Sequence, residues 1–273
     1  MKIMLLTKAG LRKIVMVAAI YFLIGSFSLA VGLGLRNTGV NTAPLIRIGV
    51  IAYAVGILSV FWGRYAEGKG KLLARGNRLI FQELNPTEFI REYDALREAP
   101  GLVVCRPGQE LLQLLAVAYD ALNDHAAALA AADAQLAAAT GKWVTRAKIG
   151  KASLLYSYDR TEEAEAIFTE IGRQKLGAVD TLLYDALLKS DRAVARGDYR
   201  TAEVYCLKKL ENGFPKPTPL QTLYLHGKLA LLYERLGERE QALEHYRYCA
   251  ENGGGTALRC KAAEALRRLQ GEA

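Results

Sequence analysis

Acid is missing from one end of this chain. No aspartate or glutamate occurs in the first 63 of its 273 residues, although Lys2, Lys8, Arg12, Lys13, Arg36 and Arg47 lie there. A soluble surface intersperses both signs of charge, so this absence excludes an ordinary globular start. Histidine is scarce: His125, His226 and His245 are the whole set, and none sits in an HExxH pattern. The four cysteines, Cys105, Cys206, Cys249 and Cys260, form no CxxC and no metal-ligand spacing with histidine. There is no GxSxG, and no glycine-rich loop follows a strand pattern, because alternating strand patterns are lacking. No catalytic residue, cofactor-binding residue or metal ligand is assigned, and the chain reads as a non-enzyme. Three of the cysteines fall inside predicted helices as small apolar residues. Reduced, buried thiols of that kind suit a reducing compartment.

The net charge of +8 suggests a nucleic-acid binder until it is divided along the chain. Residues 1–63 carry +6, residues 64–78 carry +4, and the remaining 25 basic and 27 acidic residues carry −2. The excess lies outside the main body of the chain, whereas a nucleic-acid binder carries its basic footprint on the folded domain. No nucleic-acid partner is expected.

What occupies the acid-free end is hydrophobic. Ile14 to Leu35 runs 22 residues without a charge, or about 33 Å of helix, enough for the hydrocarbon core of a bilayer. A second run from about Leu45 to Gly63 has Arg47 near its start, a cation that reaches the interface by snorkelling. A transmembrane hairpin is predicted over residues 1–63, with spans at about 14–35 and 45–63 and the lipid bilayer as its surroundings. Small residues line one stripe of each span: Ala18, Gly25, Ser28 and Gly32 in the first, Gly49, Ala52, Gly56, Ser59 and Gly63 in the second. Helices in lipid approach closely along such stripes. Two arrangements fit: the seams pack on each other, or they pair between chains in a homo-oligomer. Basic residues cluster before the first span and after the second, which places both termini and everything after the hairpin in the cytoplasm. Trp62 and Tyr65 stand where an interfacial aromatic belt is expected. A signal peptide cleaved after Ser28-Leu29-Ala30 is the rival reading. The first apolar run is long for a signal core, however, and a second follows within about 15 residues.

Residues 64–107 read as a basic juxtamembrane connector with a degenerate helical segment. Gly63, Gly68, Gly70 and Gly76 predict a jointed connector rather than a continuous helix. Asn85-Pro86 is a helix-start signal.

Residues 108–273 are rich in Ala, Leu, Glu, Lys and Tyr, with breaks at 123–125, 158–160, 196–198 and 236–238. The last unit is the clearest: Ala230, Tyr233, Gly237, Ala242 and Tyr246. Earlier segments offer Ala116, Tyr119, Asn123 and Ala128, then Ala152, Leu155, Asp159, Ala164 and Phe168, then Ser190, Ala193, Gly197, Ala202 and Cys206. These spacings resemble the tetratricopeptide repeat. The small residues permit close helix crossing and the glycine a tight turn. Ala128, Ala164, Ala202 and Ala242 recur at intervals of 36, 38 and 40, slightly above the family's period of about 34. The expected fold class is all-α: the hairpin, then a tetratricopeptide-like α-solenoid of about four helical pairs. ALRCKAAEALRRLQ, after GGGT, supplies a C-terminal capping helix that shields the open end.

The resemblance implies a concave face lined by the first helix of each pair, and a protein or peptide ligand. It puts Arg146, Ile149, Ser153 and Tyr156 on that face from the second pair. Tyr184, Leu187 and Asp191 come from the third, and Tyr224, Lys228, Leu231 and Arg235 from the fourth. The chaperone-tail clamp of some relatives is not implied, because Gln113 and Val117 stand where its first Lys and Asn belong. The expected role is a membrane-anchored adaptor or scaffold. The alternatives are a self-associating structural component and an exported repeat domain on a signal anchor.

Overall fold

The computed structural model describes residues 8–36, 38, 41–97, 108–177, 180–181, 184–213 and 216–271, with side chains at 8–14, 61–67, 96–97, 142, 186–187 and 212 outside that description. The secondary structure is helical throughout the described residues. Two compact units divide at Ala74 and Arg75.

The first unit holds α1 (Lys8–Gly34) and the greater part of α2 (Ala43–Asn77). The windows Val15–Gly34 and Ala43–Val60 are long and apolar enough to cross a membrane. Of those windows 22% and 17% is buried, against the mostly buried state of a soluble protein's core helix. Leu23, Phe27, Ile51 and Leu58 point outward, each more than half exposed. The small residues face the other way. A Cβ on Gly49 would sit 2.6 Å from Leu29 Cγ and 3.1 Å from the Gly25 carbonyl oxygen. A Cβ on Gly25 would meet the Tyr53 ring at 3.0 Å and the Gly49 carbonyl at 3.1 Å. Gly32 lies against Ile46, and Gly56 against Tyr21 and the Ala18 carbonyl. Ala18, Ser28 and Ala52 are buried, and half-buried Ser59 returns its hydroxyl to the Val55 carbonyl at 2.7 Å. Phe22 and Tyr53 meet edge to face, with centroids 5.2 Å apart. The two stripes are therefore consumed in packing α1 on α2. The side chains expected at Trp62, Gly63 and Tyr65 lie outside the described residues.

The connector glycines Gly68, Gly70 and Gly76 fall within the helical range of α2, which is followed by a π-helical turn, Arg78–Gln82. A glycine in a helix costs about 1 kcal/mol against alanine but does not break it. Gly76 has a packing reason to be there: a Cβ would lie 2.5 Å from Phe89 Cε2.

The second unit is built from helical pairs. After α3 (Pro86–Arg97) come α4 (Gln109–Ala121) with α5 (His125–Ala138), and α6 (Lys142–Ser157) with α7 (Thr161–Gly172). A π-helical turn, Tyr184–Leu188, leads into α8 (Lys189–Ala195), which pairs with α9 (Tyr199–Asn212). α10 (Pro219–Leu236) pairs with α11 (Arg239–Asn252), and α12 (Ala257–Gln270) packs on α11.

One turn recurs in all four pairs. Asn123, Asp159, Gly197 and Gly237 take φ of 62, 58, 76 and 78°. This left-handed region suits Gly and is tolerated by Asn and Asp. The following amide then reaches back five residues: Asp124 to Tyr119, Arg160 to Leu155, Asp198 to Ala193, Glu238 to Tyr233. Ala128, Ala164, Ala202 and Ala242, just beyond the turn, are fully buried, as are Ala152 and Ala230 on the helices before it. The side chains of Asp124, Asp198 and Thr218 cap the N-termini of α5, α9 and α10.

The two ends of the array meet. Leu84, at φ 50° despite its Cβ, accepts the Gly255 amide on its carbonyl at 2.8 Å and packs on Gly254. α10 packs against the turn Arg78–Gln82, and Lys261 of α12 donates to Asn123 in the turn after α4. α12, expected to shield the open end, packs on α11, and its Lys261 also bonds to the first pair.

Candidate binding face

The first helices of the pairs turn their polar residues toward one another. Ser153 of α6 donates to Asp191 of α8 at 2.6 Å, and Lys228 of α10 donates to the other oxygen of that carboxylate. Asp191 has 6% of its side chain exposed and Lys228 26%. Burial works against the ammonium, but Asp191 and then Cys206 beside it together hold the Lys228 pKa above its usual value. Beside this node, Ser190 touches buried Cys206 at 3.6 Å. Burial pushes that thiol up, away from the reactive thiolate.

A second node lies at the ends of these helices. Asp120 of α4 accepts Tyr158 at 2.7 Å and Tyr224 of α10 at 2.9 Å. Burial and then the Asp120 charge drive both phenols well above their ordinary range, so they stay as donors. Toward the second helices, Glu165 takes a forked pair of bonds from Arg192 at 2.8 and 2.7 Å and another from Tyr156 at 3.1 Å. The guanidinium stacks over Phe168 at 4.0 Å. Hydrogen bonding to Arg192 lowers the Glu165 pKa.

The expected face is thus largely self-satisfied. Ile149 and Tyr156 are corrections: both are buried in the core with Leu155, Phe168 and Leu188, because α6 turns that stripe toward α7 and α8. Arg146 is tied to Asp180 at 2.8 Å, and Tyr184 stacks on Phe168 at 4.9 Å. Ser153, Asp191, Tyr224 and Lys228 are brought together in the two nodes. Leu231 and Arg235 remain exposed, and the Leu187 side chain lies outside the described residues. Asp120, Tyr158, Glu165 and Arg192 were missed. The first two sit three residues and one residue before the predicted turn positions Asn123 and Asp159, a helix-end register the groove template does not sample.

The last pair holds one further cluster. His226 of α10 and His245 of α11 meet Nδ1 to Nδ1 at 2.8 Å, with Tyr248 stacked on His226 and Tyr233 on His245. Burial, reinforced by His245, pushes His226 down to about 4, and burial lowers His245 as well. Among the described residues no three His, Cys, Asp or Glu side chains converge as a metal site. Of the thiols, Cys206 and Cys249 are buried as expected, but Cys260 on α12 is exposed; Cys105 lies outside the described residues.

Comparison of the chain with family models, curated proteins and solved structures finds no match.

Proposed function

We propose that this chain is a membrane-anchored adaptor of tetratricopeptide-like type, holding a protein or peptide partner at a cytoplasmic membrane surface without catalysis. The observation that carries the reading is one helical pair repeated four times, with the same left-handed turn and buried alanine, on a chain that begins with two lipid-length helices. Repetition sets equivalent helices side by side, which makes an extended face rather than a pocket for chemistry. Outward Leu23, Phe27, Ile51 and Leu58 suit lipid contact, and the acid-free basic end supports a cytoplasmic orientation. Anchoring raises the effective concentration of any second, weak contact at the same membrane.

Photo-crosslinking in cells tests this. A photoreactive residue replaces exposed Leu231 or Arg235, with Val204, exposed on α9, as the control position. The adaptor reading expects a discrete heterologous adduct from the first two positions and none from Val204. Adducts only with a second copy of the chain would replace it with a self-associating membrane component. No adduct from either position would remove the adaptor.

A further inference from the structure

The closure of the array carries an inference that rests on the adaptor reading and names its partner. Tyr224 and Lys228 stand four residues apart, on one face of α10. Their acceptors come from different pairs: Asp120 at the end of α4 and Asp191 on α8, the latter also fixed by Ser153 of α6. Two acids on separate helices are satisfied by a single helix offering a phenol and, one turn later, a cation. We propose that the inner face of the first three pairs is a binding site for a basic amphipathic helix of this kind, and that α10 occupies it at rest as an internal ligand.

The surroundings of α10 fit a latch. α10, α11 and α12 pack on one another in sequence and form one block. Ahead of the block, 216–218 is non-helical and includes Pro217, which has no amide to donate. Besides its contacts with α9 and with the turn Arg78–Gln82, and Leu84 packing on Gly254, the block is tied to the rest by polar bonds: Gly255 to Leu84, Lys261 to Asn123, and Arg200 to Glu238. A partner helix with Tyr and Lys in the same register replaces both inner bonds while the block swings away. An acidic peptide would meet Asp120 and Asp191 as like charges.

The test uses the full chain in detergent micelles and a fluorescent synthetic peptide of residues 219–236. The native chain, with its site filled, binds the peptide weakly. The Tyr224→Phe/Lys228→Gln chain binds it at least tenfold more tightly. That gain is lost when the peptide carries the same two changes, or when Asp120→Asn and Asp191→Asn are added to the chain. Equal binding by native and variant chains, or tight binding of the altered peptide, overturns the proposal. Hydrogen exchange on the native chain is an independent check should the variant misfold. The latch expects amides of α10–α12 to exchange together, faster than those of α4–α7. Exchange only with the rest of the domain overturns it. If peptide displacement succeeds while cellular crosslinking finds no partner, the latch stands and the adaptor reading alone falls.

Discussion

Ser153 and Asp191 occupy the same place in consecutive helical pairs. They lie 38 residues apart, the interval that also separates the turn alanines Ala164 and Ala202, and Ser153 Oγ donates to Asp191 Oδ2 at 2.6 Å. Tyr158 and Asp120 are likewise 38 apart, and Lys228 and Asp191 are 37 apart. The repeat therefore makes its own cross-links: a polar side chain on one first helix meets nearly its own equivalent on the next. Such ties fix how neighbouring pairs stack, which an apolar face alone leaves loose.

Removing Asp191 is the severe test of that network. Asp191→Ala leaves Lys228 largely buried without a counter-charge, and breaking such a pair costs about 3–5 kcal/mol. Adding Lys228→Met removes the stranded cation and recovers a large part of the loss. Chemical denaturation of the full chain in micelles, followed by far-UV circular dichroism, reads both. If the double variant is as unstable as the single one, the pair is not the unit that matters.

The helices and their breaks were legible because they are local. Asn123, Asp159, Gly197 and Gly237 announce turns by residue type, and the structure puts all four at positive φ. Thr256 precedes the last helix, and Asn85 accepts the Glu88 amide ahead of α3, as a start signal should. The inner face was not legible, because its chemistry depends on separations the period does not encode. Tyr224 meets Asp120 across 104 residues, and Lys261 meets Asn123 across 138. Ile149, expected on the inner face, is buried among Leu155, Phe168 and Leu188, contacts that the repeat spacing does not encode. At the connector the sequence did not show that Gly76 packs closely on the Phe89 ring.

Gly49 carries the hairpin seam. Its Cβ position is 2.6 Å from Leu29 and 3.1 Å from the Gly25 carbonyl, so valine there must push α1 and α2 apart. Overpacking of that order costs about 1–3 kcal/mol. Trypsin cleaving at Arg36 and Arg47, which flank the turn, should act several-fold faster on Gly49→Val in micelles than on the native chain. Gly34→Ala, where a Cβ meets nothing within 4 Å, is the silent control. An unchanged rate in Gly49→Val would mean the seam does not hold the hairpin closed.

Acid should destabilise the second unit in two stages. The unfolded chain protonates His226 near 6.5, whereas the folded chain keeps it neutral down to about 4. The folded pKa is the lower one, so the unfolded state binds more protons between these values, and stability falls as pH drops through that window. His245 is depressed in the same direction. Glu165 and Glu234 are held low by hydrogen bonds from Arg192 and Arg268, so their contribution is lost only as pH falls below about 4.5. Melting temperature against pH should therefore decline from about 6.5 downward and steepen below 4.5. Replacing both histidines, His226→Phe with His245→Phe, should flatten the upper stage and leave the lower one. An upper stage that survives this change would assign it to other groups.

Cys260 turns orientation into a measurement. It is the exposed thiol among the described cysteines, on the helix that ends the second unit, while Cys206 and Cys249 are buried. In a Cys105→Ser background, a membrane-impermeant maleimide added to intact cells should leave the native fold unlabelled and modify one site once the membrane is opened. Cys260→Ser should abolish that signal, and denaturant should release the two buried thiols, showing that protection by burial and protection by the bilayer are separate. The distribution of charge argues for this result, since ten units of positive charge lie in residues 1–78 and the remainder is slightly acidic. Labelling of Cys260 in intact cells would place the helical pairs outside. The basic ends would then lie on the wrong face for the positive-inside rule, and a partner helix would have to be sought among exported proteins.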